Sequence, residues 1–294
     1  MAVLVGVELG GTKVVVGTST VAGRLDDRVR IATTSPDETL AAVKDAISWS
    51  AVEGVAAIGI GAFGPLDLRK SSDSYGEVVS TPKPGWSGTN VVAGIRADSD
   101  IPIGLDTDVN AALLGEMTHG GWSPVATAYL TVGTGVGGGI WVDGMLLHGA
   151  NHPEIGHVRV KRHPNDTFAG HCPYHGDCLE GMAAGPSLES RFGDRPENLG
   201  SGDAAAAAEL SSWYVASGIA SFGAVVPVDR VIIGGGVAHM PGFHHSVQDH
   251  LRSLASHYPP VPFAGDGPAI VAPALGDDAG VLGAIELARR SKPR

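Results

Sequence analysis

The sequence predicts an α/β protein of two halves that share an order of strands and helices. Each half begins with an apolar β-like run, a glycine-rich turn and a second β-like run. In the first half these are Val3–Glu8, Gly10–Thr12 and Lys13–Thr18; the second half starts with Ala126–Val132 and Gly133–Gly139. Alternating helical and strand patterns follow in both. No sequence identity between the halves is evident, so the repeat is a prediction about architecture alone.

The other elements of the first half follow from local patterns. A helix begins at Pro36, because proline fits a first helical turn, and Leu40, Val43 and Ile47 recur at helical spacing after it. Val55–Gly61 is apolar throughout, which predicts a central parallel strand. The remaining predictions are strands at 28–33 and 101–105 and helices near 89–97 and 109–117.

The second half continues with a hairpin rather than a helix after its glycines. The run 133–138 matches Gly-x-Gly-x-x-Gly, but the next residues turn at Asp143-Gly144, which argues against a dinucleotide-binding fold. The later predictions are strands at 140–142, 145–147, 230–233 and 269–272, and helices at 186–192, 203–225, 243–256 and 278–290.

Charge and hydropathy exclude several classes of partner. The chain of 294 residues carries a formal net charge of −11, which disfavours nucleic-acid binding. Its first residues contain no basic leader, and their apolar run is too short for a signal peptide or a membrane span. We therefore expect a cytoplasmic protein with neither a nucleic-acid nor a membrane partner.

Both cysteines fall in one short stretch. Cys172, His175 and Cys178 follow the order Cys-x-x-His-x-x-Cys, and His157 lies upstream. Two thiolates and imidazole ligands at such spacing can hold a tetrahedral zinc, with His157 closing the site. Two alternatives stay open, a Cys172–Cys178 disulfide and a pair of free buried cysteines.

Three glycine-rich turns are candidates for nucleotide binding. Glycine lets the backbone approach phosphate closely, and successive N–H groups can cradle it. Each turn alone could equally be a plain hairpin or loop. The candidate residues are Gly10, Gly11, Thr12, Lys13, Gly133, Thr134, Gly135, Gly137, Gly234, Gly235 and Gly236.

Asp108 is the candidate catalytic residue. It follows a predicted strand and stands at or near the N-cap of a helix, where α/β proteins place ligands. A carboxylate there can accept a hydroxyl proton during phosphoryl transfer. The structural alternative is a helix cap, a common role for aspartate.

Glu154, His157 and Glu180 surround the metal candidate in sequence. Carboxylates accept hydrogen bonds from the hydroxyls of polyols, and a metal-bound imidazole keeps its other N–H free to donate. These three residues are therefore candidate sugar contacts. The alternative is that they are surface charges around a structural metal.

Together these motifs resemble the ROK family of sugar kinases, and within it the bacterial fructokinases. Many family members carry aspartate where this chain has Glu8, and a Cys-x-Cys metal segment where this chain has Cys-x-x-His-x-x-Cys. Both departures look like the fructokinase branch. The resemblance lies in residues 6–13, 81–86, 106–112, 133–139, 154–157, 168–181 and 234–236.

The resemblance implies an actin-like, ribonuclease-H-like fold of two lobes with ATP and sugar in the cleft. The lobes would be residues 1–115 and 116–294, with a zinc-binding insertion near 148–182 and a last helix that can return to the first lobe. It implies Asp108 as the base, with Asp108, Glu154, His157 and Glu180 contacting sugar. It also implies a zinc held by His157, Cys172, His175 and Cys178.

The activity implied is ATP-dependent phosphorylation of a hexose, D-fructose to fructose 6-phosphate, with Mg²⁺ accompanying ATP and a homodimeric protein. Zinc would be structural, because four protein ligands leave no open position, which also argues against a zinc hydrolase. Two alternatives stay open: a kinase of glucose, mannose or another hexose on the same fold, and a non-catalytic sugar-binding regulator.

Overall fold

A computed structural model describes residues 3–50, 54–96, 100–123, 126–255 and 269–293. The chain forms two compact units. Unit 1 comprises Met1–Ser123, Leu146–His152 and Ala274–Arg294, and unit 2 comprises Pro124–Met145 and Pro153–Pro273. A five-stranded sheet with helices is found in each, and the predicted α/β class is confirmed.

The elements of unit 1 are β1 (Val3–Leu9), β2 (Lys13–Ser19), β3 (Asp27–Ala32), α1 (Pro36–Ser50), β4 (Val55–Ala62), α2 (Val91–Arg96), β5 (Ile103–Thr107), α3 (Asp108–His119) and α8 (Ala279–Ser291). Its sheet has the strand order β3-β2-β1-β4-β5. Strand β1 runs antiparallel to β2 and parallel to β4, which pairs in parallel with β5. Val5, Val7 and Leu9 of β1 are fully buried.

Helix α8 packs on the sheet of unit 1 through backbone contacts that require glycine. A Cβ atom at Gly59 of β4 would lie 1.7 Å from the carbonyl oxygen of Ala284. On the helix itself, a Cβ atom at Gly283 would lie 1.6 Å from the carbonyl oxygen of Ala111 in α3. These glycines therefore serve close packing rather than ligand binding.

The elements of unit 2 are β6 (Ala126–Val132), β7 (Val136–Val142), β8 (Met145–Leu146), α4 (Leu179–Ala183), α5 (Gly185–Phe192), α6 (Ser201–Gly223), β9 (Arg230–Gly234), α7 (Phe243–Ala255) and β10 (Ile270–Val271). Its sheet has the strand order β10-β9-β6-β7-β8. The long helix α6 buries Tyr214, Val215 and Ile219 in the apolar core of the unit.

Several sequence expectations differ from the structure in detail. The turn expected over 133–139 is confined to its first residues, because Gly137, Gly138 and Gly139 pair with β6 inside β7. The strand expected at 269–272 contracts to β10, and Leu147 lies outside β8. Ser256, the end of the helix predicted at 243–256, lies outside the described residues. Among the helices that the structure describes, none has the length and apolar character needed to cross a bilayer.

Candidate functional site

Asp108 is the first residue of α3, directly after β5. The cap of this helix is Thr107, whose Oγ1 accepts the Asn110 N–H at 3.1 Å, so Asp108 is not needed for capping. Its Oδ1 accepts the Val109 N–H at 2.8 Å. Burial raises the pKa of Asp108 to about 6, so the group is mostly ionised at neutral pH and can accept a proton.

Glu8, in β1, is a second carboxyl of this region that sequence reasoning used only as a family marker. Its Oε2 atom is buried and has no hydrogen-bond partner among the described residues. Burial raises its pKa to about 7, the negative charge of Asp108 adds to the rise, and Lys13 opposes it. A Cβ atom at Gly280 would lie 2.4 Å from Glu8 Cδ, so glycine there makes room for the carboxyl.

This arrangement has the chemistry of a magnesium site. Mg²⁺ prefers carboxylate and phosphate oxygens, and it usually takes only one or two protein carboxylates. A buried carboxylate oxygen without a donor is an unsatisfied ligand atom. Glu8 therefore fits the role of a ligand to a nucleotide-bound cation.

The first glycine turn connects β1 and β2 beside Glu8. The Gly10 N–H donates to the Lys13 carbonyl at 3.0 Å, and Thr33 Oγ1 donates to the Gly10 carbonyl at 2.8 Å. Lys83 Nζ donates to the Gly11 carbonyl, which connects the loop before Trp86 to this turn. Gly11, Thr12 and Lys13 are exposed, so the turn is open to a ligand.

The other two glycine turns lie side by side in unit 2. In the turn after β6, the Gly133 N–H donates to the Gly135 carbonyl at 2.9 Å. In the turn after β9, Gly235 has φ +91°, and a Cβ atom there would lie 2.5 Å from the Val132 carbonyl oxygen. A Cβ atom at Gly133 would be 3.8 Å from the Gly236 nitrogen. Thr134 and Gly135 belong to this pair of turns, whereas Gly137 lies in β7 and Gly234 in β9.

Glu180 connects the turn after β6 to the metal candidate. Its Oε2 accepts the Val136 N–H at 3.0 Å, and a Cβ atom at Gly135 would lie 2.8 Å from the same oxygen. Glu180 is the second residue of α4, which begins directly after Cys178.

The four predicted metal ligands lie together in unit 2. Their ligand atoms are all within 4.8 Å of one another. His157 Nδ1 is 3.3 Å from His175 Nδ1, 3.5 Å from Cys178 Sγ and 3.7 Å from Cys172 Sγ. Tetrahedral zinc with bonds of ~2.0–2.3 Å separates its ligands by about 3.3–3.8 Å, and the three distances from His157 Nδ1 lie in that range.

The chemistry of the cluster agrees with a cation. Both cysteines are free, which removes the disulfide alternative. Burial raises the pKa of the Cys178 thiol to about 11, so a bound cation would be required to hold it as the thiolate. His157 faces the cluster through Nδ1, which leaves its Nε2 for other contacts.

A polar network that sequence reasoning missed supports the loop carrying these ligands. Arg191 donates to Asp166 Oδ1 at 2.6 Å, and both side chains are more than 90% buried. Tyr214 donates to the other carboxylate oxygen, and the Arg191 guanidinium lies 4.1 Å from the ring centre of Phe168. These contacts therefore hold the loop independently of any metal bound to the four predicted ligands. Glu154 lies ahead of the loop, directly before the short 3-10 helix Ile155–His157.

Comparisons with known proteins cover nearly the whole chain. The ROK family model matches residues 4–291. The fructokinase of Lactococcus lactis subsp. cremoris is 40% identical over 257 residues, covering 87% of this chain and 86% of the relative. The fructokinase of Zymomonas mobilis is 38% identical over 290 residues, covering 96% and 95%.

Solved structures agree in fold. The ROK family glucokinase from Streptomyces griseus, in complex with glucose and AMPPNP, superposes with a TM-score of 0.77 at 26% identity and covers 98% of this chain and 100% of that one. The expected actin-like two-lobed class is therefore confirmed. Since both the family model and the curated relatives match along almost its full length, the chain belongs to the ROK family.

Proposed function

We propose that this protein transfers the γ-phosphoryl group of ATP to a hexose, and that its preferred acceptor is O6 of D-fructose. Membership of the family and the identity to curated fructokinases support sugar phosphorylation. The observation that carries the proposal is Asp108, a carboxyl with a pKa of about 6 at the end of β5, beside Glu8 and the glycine turn that follows β1.

Asp108 acts as the base in this proposal. At pH 7 its carboxylate is mostly ionised, and it orients the acceptor hydroxyl and takes its proton as the bond to phosphorus forms. The Thr107 Oγ1 accepts the Asn110 N–H and the Asp108 carboxylate accepts the Val109 N–H, so the start of α3 and the carboxylate are held without large rearrangement.

The glycine turns bind the triphosphate. Gly10–Lys13 supplies open backbone, a hydroxyl and an ammonium, while the turns at 133–135 and 234–236 supply a second pair of close backbone segments. Mg²⁺, when bound with ATP, neutralises charge on the phosphates. Glu8 would hold that cation through its unpaired oxygen.

Glu154, His157 and Glu180 contact the sugar in this proposal. His157 can donate from Nε2, and the two carboxylates can accept from hydroxyls. The metal of His157, Cys172, His175 and Cys178 would be a structural zinc that fixes His157 and, through Cys178, the start of α4. We expect the protein to be a homodimer, as light scattering after size exclusion can test.

A hexose panel tests the activity directly. Purified protein is incubated with Mg²⁺·ATP and fructose, glucose or mannose, and ADP release is measured together with the position of the new phosphate by NMR. We expect kcat/KM for fructose to exceed that for glucose by ~10-fold or more, because unpaired polar groups in a hydroxyl-reading site penalise the wrong sugar. If glucose is the better acceptor, the proposed preference for fructose is wrong but the kinase activity stands. If none of the sugars is phosphorylated, the proposed kinase activity is wrong.

A further inference from the structure

The segment Leu146–His152, here called the strap, belongs to unit 1 although the chain on both sides of it belongs to unit 2. It leads directly into Pro153 and Glu154. Two of its side chains, His148 and His152, make polar contacts with the rest of unit 1. What holds the strap therefore also fixes the point from which the chain runs to Glu154.

His148 contacts a buried carboxylate. Its Nε2 lies 2.9 Å from Asp106 Oδ2, to which it donates, and 3.4 Å from Asn110 Nδ2. The hydrogen bond to Asp106 raises the pKa of His148, burial opposes the rise, and the charge of Asp106 adds to it.

Asp106 connects the imidazole of His148 to the turn that carries the proposed base. Its side chain is 6% exposed, and its Oδ1 accepts both the Thr107 N–H at 2.8 Å and Asn110 Nδ2 at 2.7 Å. Thr107 and Asn110 stand on either side of Asp108 in the sequence. Asp106 therefore joins the strap to the strand-to-helix turn in which Asp108 lies.

The surroundings of His148 contain other charged groups. A cavity of about 360 Å³ beside it is lined by Arg69, Lys70 and Tyr75 as well as Asp106. Arg69 is engaged by Asp67 through two hydrogen bonds of 2.9 and 2.7 Å. Among the described residues, Asp106 is the acid within ion-pair distance of His148, so this pair responds directly to the charge of the imidazole.

His152 holds the other end of the strap in the opposite way. The Leu66 N–H donates to His152 Nε2 at 3.1 Å, so that nitrogen must be unprotonated. Two hydrogen bonds therefore hold the strap: the His148 imidazole donates to the Asp106 carboxylate, and the His152 imidazole accepts from the Leu66 backbone.

We propose that His148 is a positioning residue for phosphoryl transfer: its ion pair with Asp106 fixes the strap to the turn that presents Asp108, and so holds both the base and the chain leading to Glu154. The inference rests on the proposed kinase activity. It requires no contact of His148 with either substrate.

Two consequences separate this role from a general contribution to stability. Loosening the pair should affect the use of the hexose while leaving the KM for ATP unchanged, because the pair anchors residues proposed to act on the acceptor sugar. The pair is stronger when His148 is charged, so kcat/KM for the hexose should fall as the pH rises through the raised pKa of that imidazole.

The experiment compares wild type with His148→Gln, Asp106→Asn and the double variant. Each single change should lower kcat/KM for the hexose by ~10-fold, and the double variant should be no worse than the poorer single, since contacting residues are not additive. The KM for ATP should stay within about twofold, and the alkaline fall should be absent in His148→Gln. His245→Gln is the matched control, because His245 also pairs with an aspartate, Asp249, but is 81% exposed on α7.

A second measurement does not depend on activity. Hydrogen exchange of a peptide covering the strap should be faster in His148→Gln than in wild type and unchanged in His245→Gln. If wild type is active, any one of three results would overturn the role of His148. These are additive effects of the two single changes, an alkaline fall in kcat/KM that persists in His148→Gln, and hydrogen exchange of the strap that is the same in His148→Gln as in wild type. A wild type that phosphorylates no hexose would instead overturn the proposed function, and the inference with it.

Discussion

Replacing Glu8 with glutamine should stabilise the protein at high pH although it removes a residue proposed to act in the reaction. Glu8 lies beside Asp108, Asp277 and Asp278, and its buried Oε2 has no donor among the described residues. Each of these features disfavours the ionised form. Glutamine cannot ionise, so Glu8→Gln removes that cost.

The size of the effect follows from the shift. The pKa of Glu8 rises from its ordinary value of 4.5 to about 7 in the folded protein. A carboxyl whose pKa is higher in the folded than in the unfolded protein lowers the free energy of unfolding as the pH rises from the unfolded pKa to the folded pKa. The full difference between the two pKa values corresponds to ~3 kcal/mol. Most of this loss of free energy of unfolding, ~2.5 kcal/mol, should occur between pH 5 and pH 8.

The assay is urea unfolding of wild type and Glu8→Gln at pH 5 and pH 8, without magnesium or nucleotide and followed by tryptophan fluorescence. The advantage of the variant in free energy of unfolding should grow by ~2.5 kcal/mol between the two pH values. Glu197→Gln, at an exposed position, serves as the control and should show no such growth. Equal pH dependence in wild type and Glu8→Gln would refute the claim that this carboxyl is held against ionisation.

Two further variants test the proposed site. Asp108→Asn should lower kcat by ~10²–10⁴-fold, and its thermal midpoint should change little because Thr107 caps α3. In wild type, kcat/KM should decrease as the pH falls below about 6, where Asp108 becomes protonated. A near-normal rate in the variant would show that the base is another residue. Cys178→Ser should lose bound zinc in elemental analysis and lower the thermal midpoint by roughly 5 °C or more, whereas wild type without zinc but with full stability would refute a structural metal.

Local patterns predicted most of the elements, although α4 was not among them. The four candidate metal ligands could be proposed because their spacing falls within a short stretch of sequence, and the structure brings the four side chains together. The glycine-rich turns were found by the same kind of local signal. Glycine alone, however, does not reveal its purpose: Gly137 lies in a strand, and Gly59 and Gly283 admit a neighbouring backbone.

The interactions that sequence reasoning missed depend on residues distant along the chain. Asp106 and His148 are separated by 42 positions, and Asp166 and Tyr214 by 48. Asp106 lies in one of the segments that resemble the family, but no local pattern pairs it with His148 or pairs Asp166 with Tyr214. The unpaired oxygen of Glu8 is likewise a property of its surroundings, since the backbone of Gly280 approaches it from the last helix.

The backbone contacts of α8 have a consequence for the order of folding during synthesis. Gly6 of β1 and Gly59 of β4 pack closely against α8, which is synthesised after every other described element. The N-terminal strands must therefore wait for nearly the whole chain before that face of their sheet is covered. Residues 153–273 of unit 2 form one continuous stretch and can fold earlier. The strands that are translated first should thus be among the last to acquire their native packing. Until α8 is available, they expose an apolar face with glycines, to which a chaperone could bind in competition with that helix.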